Sequence, residues 1–181
     1  PGKSIYRYPV IQFKVINDTP MIMALGDEAI TIFQKIFLKL KEINLGGYVI
    51  PLQGVGFMVD DVRFGFSETF VPYRFLSTWI GLNQENYRKF SSLPDPDAKR
   101  DLLKRTLIGN ILTMSKSLNY WLKPEQRIDA EFQLTKKIEY VKQTEFNGFT
   151  GTFRVNFSIP DFFSIGKFVS RGFGCVMREE S

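Results

Sequence analysis

Residues 95–118 read DPDAKRDLLKRTLIGNILTMSKSL, and their spacing decides the class of fold. Leu103, Leu107, Ile111, Met114 and Leu118 recur at intervals of three and four residues, which places them on one face of an α-helix. Asp95 and Asp97 precede this stripe as candidate caps, because a carboxylate there accepts from the unpaired N–H groups of the first turn. Beyond the helix the pattern changes to alternation. Residues 128–142 and 150–159 each alternate polar and apolar side chains, and Asn147-Gly148 between them predicts the turn of a β-hairpin.

Toward the N-terminus, Asn83 predicts the cap of a short helix running to about Phe90. Residues 48–59 and 62–79 are rich in aromatic and β-branched side chains and predict strands that pair with each other. After Gly26-Asp27, the residues Ala29, Ile32, Phe33, Ile36, Phe37, Leu40 and Ile43 keep helical spacing as far as Gly46-Gly47. Residues 5–16 alternate instead, with Ile5, Ile11, Phe13 and Val15 on one parity and Gln12 and Lys14 on the other. They predict a half-buried strand that ends in a turn at Asn17-Asp18-Thr19-Pro20, with a second strand at 21–25. The order of strands, helix, strands, helices, strands predicts an α+β sandwich. Two ferredoxin-like halves, 1–80 and 81–181, would satisfy it, with the first strand of the N-terminal half expected upstream of Pro1.

Bulk properties narrow the classes of function. No apolar run among the 181 residues approaches the roughly 20 that a membrane helix requires, and no secretory leader is recognisable, so a cytoplasmic protein is expected. The one cysteine, Cys175, excludes an internal disulfide, and with no histidine the usual zinc ligand sets cannot form. No metal and no cofactor is therefore expected. Basic residues exceed acidic ones by 24 to 19, a balance that favours a polyanion wherever the excess is gathered on one face.

The segment Ser164-Ile165-Gly166-Lys167-Phe168-Val169-Ser170-Arg171-Gly172-Phe173-Gly174-Cys175-Val176 gathers three glycines with two cations and a hydroxyl. Glycine permits close approach of backbone amides to a ligand, and Lys167 and Arg171 supply charge attractive to a phosphodiester. Gly166, Gly172 and Gly174 would shape such a loop while Lys167, Ser170 and Arg171 hold an RNA backbone. On another reading the glycines only turn the chain between strands. The P-loop spacing is not met, since Asp161 stands where its first glycine would fall. Lys104 and Arg105 on the helix, and Lys136, Lys137 and Lys142 on the late hairpin, are further candidates for RNA contact. Gly109 and Asn110 are expected to serve helix packing.

The run Ser170-Arg171-Gly172-Phe173-Gly174 resembles the C-terminal glycine-rich signature of the CRISPR repeat-RNA endoribonucleases, the Cas-six family. Tyr6-Arg7-Tyr8-Pro9-Val10-Ile11-Gln12-Phe13-Lys14 and the helix from Leu107 to Lys116 are similar to the branch of that family often labelled as DNA repair proteins. The resemblance implies paired ferredoxin-like (RAMP-type) domains with antiparallel sheets and a C-terminal glycine-rich loop. It further implies binding of CRISPR repeat RNA and its metal-independent cleavage, in which the 2′-hydroxyl attacks the adjacent phosphorus. The products are a 2′,3′-cyclic phosphate and a 5′-hydroxyl.

Family members commonly use a histidine in this step, and the branch places it just before the point where this sequence begins. Truncation explains its absence, and so does loss of catalysis. Tyr6, Tyr8 and Lys3 stand nearest that region as candidate catalytic groups, with Lys167 as a candidate electrostatic stabiliser. The alternative is a non-cleaving subunit that holds the 3′ end of a mature crRNA. Other CRISPR effector-complex subunits and a second copy of the chain are the further partners compatible with these readings. A ferredoxin-like oligomerisation or sensing domain would share the fold but bind no RNA.

Overall fold

A helix with one apolar stripe must bury it, and in this protein the burying surface is a four-stranded antiparallel sheet. The computed structural model describes residues 8–37, 39–45, 47–52, 56, 58–141 and 143–179. In chain order the elements are β1 (Ile11–Ile16), β2 (Thr19–Ala24), α1 (Asp27–Phe37), β3 (Glu42–Leu45), β4 (Tyr48–Pro51), β5 (Gly65–Phe75), α2 (Gln84–Ser92), α3 (Pro96–Ser117), β6 (Ala130–Val141), β7 (Thr144–Ser158) and β8 (Val176–Arg178). A 3-10 turn at Val169–Arg171 lies in the connection from β7 to β8.

The large sheet runs β6-β7-β5-β8, antiparallel throughout. With β7 between them, β5 and β6 run parallel and are joined through α2 and α3. This is the ferredoxin-like strand order, except that the glycine-rich segment stands where the second helix of that fold would be. The N-terminal part contributes two hairpins, β1-β2 and β3-β4, on either side of α1. The architecture is α+β with antiparallel sheets and a terminal glycine-rich loop.

The stripe of α3 does what its spacing predicts. Leu103, Leu107, Ile111 and Met114 are all buried and join Tyr73, Phe75, Phe132, Phe153 and Phe157 of the sheet in one core. Each such side chain contributes about 2 kcal/mol by leaving water. Asp95 caps the helix through Asp97 N (3.1 Å) and Ala98 N (3.3 Å). Asn83 caps α2 through Asn86 N at 2.7 Å. The first hairpin also turns where expected, with Asn17 and Asp18 both left-handed (φ 48 and 61).

Four expectations fail for identifiable reasons. The strand over 48–59 does not pair with the one over 62–79: β4 pairs with β3, while β5 pairs with β7 and β8. Residues 65–75 thus belong to the sheet of the C-terminal part. The helix ends at Phe37, and Ile43 lies in β3 instead. Asn147-Gly148 is not a turn but the interior of β7, opposite Ile138 and Lys137. Gly148 is needed there because a Cβ would run into Thr78 Cγ2 and come within 2.9 Å of Trp79 O.

The fourth reversal is β1, whose apolar side faces out. Phe13 is 57% exposed and Val15 67%, whereas Gln12 and Lys14 are buried. Alternation sets which residues share a face but not which face meets the protein. Here the polar face wins because the glycine-rich segment offers it hydrogen-bond partners.

Candidate nucleic-acid groove

A second stripe lies beside the buried one on α3. Leu102, Thr106, Gly109 and Thr113 repeat at four, three and four residues, with Arg105 and Asn110 flanking them, and they form one wall of a groove of about 470 Å³. The groove is also lined by Gly81, Asn83 and Asn86 before and within α2, together with Gly166, Lys167 and Tyr8. Among the described residues, neither Arg105 nor Lys167 lies in an ion pair. The groove therefore presents two cations that no described carboxylate pairs with.

Trp79 is the post on which this lining is built. Its indole is fully buried, and Nε1 donates to Asn110 Oδ1 at 3.1 Å. Its backbone exchanges two hydrogen bonds with Phe149, which ties the 78–82 segment to β7. A Cβ on Gly166 would approach Ile80 O and Trp79 Nε1 at 2.8 Å each. Glycine at 166, left-handed at φ 97, is thus required for the segment to lie against the indole.

The same logic governs the rest of the glycine-rich segment. A Cβ on Gly172 would meet Phe13 O at 2.9 Å, and one on Gly174 would strike Ile165 O. Its amides are mostly occupied within the protein: Lys167 N donates to Ile80 O (2.8 Å), Gly174 N to Thr78 O (2.9 Å), Ile165 N to Gly174 O (2.9 Å) and Cys175 N to Ser77 Oγ (2.9 Å). These four amides are therefore not free to face a ligand. The glycines let the segment pack against β1 and the Trp79 post, while Lys167, Ser170 and Arg171 stay accessible.

Beneath the segment sits a buried polar cluster that the alternation of β1 concealed. Lys14, only 3% exposed, donates from Nζ to Gln12 Oε1 at 2.7 Å and to Ser164 Oγ at 2.5 Å. Burial without a carboxylate partner pulls its pKa down from the ordinary lysine value to about 8. The Tyr8 hydroxyl donates to Ser164 O at 2.6 Å and accepts from Ser164 N at 3.2 Å. Burial pushes its pKa up to about 12. The Cys175 thiol is likewise pushed up by burial, against the pull of the Lys14 charge.

The structure gathers Tyr8, Arg105, Gly166 and Lys167 into the groove but disperses the other candidates. Tyr8 lines it with a hydroxyl already committed to the Ser164 backbone, a poor arrangement for accepting a proton. Tyr6, Lys3 and Lys142 lie outside the described residues. Arg171 places its guanidinium over the Phe168 ring at 5.4 Å, and Ser170 is exposed beside it. Lys104 pairs with Asp129 at 2.6 Å and Lys137 with Glu139 at 2.9 Å. Lys136 donates to the Tyr87 hydroxyl at 3.0 Å, which lowers that tyrosine's pKa.

Of the two groove residues expected to serve helix packing, Asn110 does so through Trp79 and Gly109 does not. Asn110 turns its Oδ1 to Trp79, and among the described residues its Nδ2 end has no acceptor. Gly109 serves no packing at all: a Cβ placed there would meet nothing within 4 Å. The signal that could have marked Gly109 is the second stripe on α3, in which Leu102, Thr106, Gly109 and Thr113 keep helical period.

Comparison with known proteins places these features in a family. Residues 1–61 match the Cas6b N-terminal domain and residues 65–179 the Cas6b C-terminal domain. An uncharacterized protein of Methanocaldococcus jannaschii is 40% identical over 147 residues, 81% of this chain and 98% of that one. A crystal structure of Cas6b superimposes with a TM-score of 0.91 at 35% identity, covering 97% of this chain and 79% of that one. A second, of CRISPR RNA processing endoribonuclease Cas6b, gives a TM-score of 0.82 at 33% identity, covering 96% and 83%. On its two domain matches and on relatives of this closeness, the chain belongs to the Cas6b family.

Proposed function

We propose that this protein is a metal-independent endoribonuclease that binds CRISPR repeat RNA and cleaves precursor crRNA. The observation that carries the reading is the pair of cations Arg105 and Lys167, unpaired among the described residues, lining one groove in a chain of the Cas6b family. RNA carries a negative charge at every phosphodiester, and cations without carboxylate partners attract it without first breaking an ion pair. In the cut, the 2′-oxygen bonds to phosphorus, the 5′-oxygen leaves, and one proton is lost and one gained at those oxygens. Charge builds on the phosphorane between these events, and an ammonium such as that of Lys167 stabilises it.

The test is incubation of labelled repeat RNA with the protein in EDTA, beside the same RNA carrying a single 2′-deoxy substitution at the cut. Cleavage of the ribose form alone, with a 2′,3′-cyclic phosphate end, supports the enzyme. Cleavage of both forms, or a requirement for added divalent metal, overturns it. Lys167→Ala and Arg105→Ala are each expected to weaken RNA binding and to reduce the slope of log affinity against log salt by about one. An unchanged slope would remove these residues from the RNA path.

One observation favours a second reading, that the protein retains crRNA without cutting it. The Tyr8 hydroxyl both donates to and accepts from the Ser164 backbone, and with its pKa pushed up to about 12 it stays protonated near neutrality and is not a base for the 2′-hydroxyl. On this reading the protein holds the guide's 3′ end beside other effector subunits. Retention of repeat RNA with no product would establish it.

A further inference from the structure

Gly109 has no role in the protein's own packing. It sits inside α3, between Leu103 and Met114 of the buried stripe, at a position where glycine weakens a helix relative to alanine. Its φ is not left-handed, so no backbone strain calls for it, and among the described residues nothing lies within 4 Å of where a Cβ would go. A bare patch of helix backbone in a groove wall is explained when something outside the chain lies flat upon it.

The surroundings specify that something. The Asn110 amide, fixed by Trp79 through Oδ1, holds out its Nδ2 donors next to the bare patch. Arg105 and Lys167, unpaired among the described residues, line the same groove. The volume of about 470 Å³ falls within the roughly 300–1,000 Å³ typical of sites that enclose one small ligand, and it is far too small for a duplex.

Resting on the RNA reading above, we infer that the groove takes one unstacked nucleotide of the RNA, its base or sugar lying face-on against Gly109. Asn110 Nδ2 donates to an acceptor on the base edge, and the phosphates on either side face Arg105 and Lys167. Proteins read single-stranded RNA by splaying bases out in this way, since the A-form major groove is too narrow for side chains.

The test uses the full chain and single-stranded repeat RNA carrying one abasic site at each position in turn. Wild-type protein is expected to lose binding about tenfold or more at one position, while the others change little. Gly109→Leu is expected to bind all the abasic RNAs equally and intact RNA about tenfold more weakly. Gly109→Ala should weaken binding less, with a Tm unchanged or raised, because nothing in the protein opposes the added methyl. The salt slope of both variants should match wild type, which separates a blocked pocket from a lost phosphate contact.

If Gly109→Leu binds intact RNA as wild type does, or keeps the sensitivity at that position, the pocket is refuted while the endoribonuclease reading stands. A lower Tm for Gly109→Ala would also refute it, by showing an internal role for the glycine. If wild-type protein binds no repeat RNA, both readings fall together.

Discussion

Replacing Gly174 by alanine is expected to cost about 2–5 kcal/mol of folding stability, before any effect on RNA is considered. Two contributions add. The residue is left-handed at φ 67, which costs an L side chain about 1–2 kcal/mol, and its Cβ would strike Ile165 O in a segment held by backbone hydrogen bonds on both sides, where overpacking costs about 1–3 kcal/mol more. Gly26 is the control. It is left-handed at φ 83 with nothing within 4 Å of its Cβ, so Gly26→Ala bears only the first cost. Urea unfolding of the two variants measures the difference as a shift in midpoint at unchanged slope. Equal stabilities, with RNA binding lost only in Gly174→Ala, would instead show that this glycine exists for the ligand.

The second large effect concerns Lys14 and pH. Its pKa is depressed to about 8 in the folded protein, against about 10.4 for an unfolded lysine, so the folded state releases its proton first. Between those values the unfolded chain binds more protons, and stability rises with pH. The full rise is about 3 kcal/mol by pH 10.4, of which about 1 kcal/mol falls between pH 7 and 9. Cys175 and Tyr8 act in the opposite direction. Their raised values remove stability as pH passes the ordinary thiol range of about 8.5 and the ordinary phenol range of about 10. The measurement is therefore made from pH 7 to 9 in a Cys175→Ala background. Adding Lys14→Met should flatten the profile. A slope that survives this change would mean that Lys14 is not the titrating group.

How much of this was legible beforehand depended on whether a pattern had one physical reading. The stripe of α3 did, because five aliphatic residues at helical period can only be buried on one side. Asn17-Asp18 did, because those residues tolerate the left-handed turn. The β1 strand did not, since its burial was decided by hydrogen-bond partners on Ser164, 150 residues from Lys14. Asn147-Gly148 is a strong hairpin signal in isolation, and the contact of Gly148 with Thr78 and Trp79 overrode it. At the candidate site, Gly166, Lys167 and Arg105 could be picked out by type. Gly109 and Asn110 could not be separated from ordinary helix residues until the groove beside them was seen. Lys14 was hidden because a lysine in an alternating strand normally faces water.

The reliance of β1 on Ser164 also orders events while the chain is being made. The first hairpin leaves the ribosome with its turn already encoded by Asn17 and Asp18, but Ser164, which receives its polar face, is translated 150 residues after Lys14. Until then the ammonium of Lys14 keeps its hydration shell, and the hairpin has nothing to close upon. Closing of β1 onto the protein consequently waits until the glycine-rich segment has been synthesised.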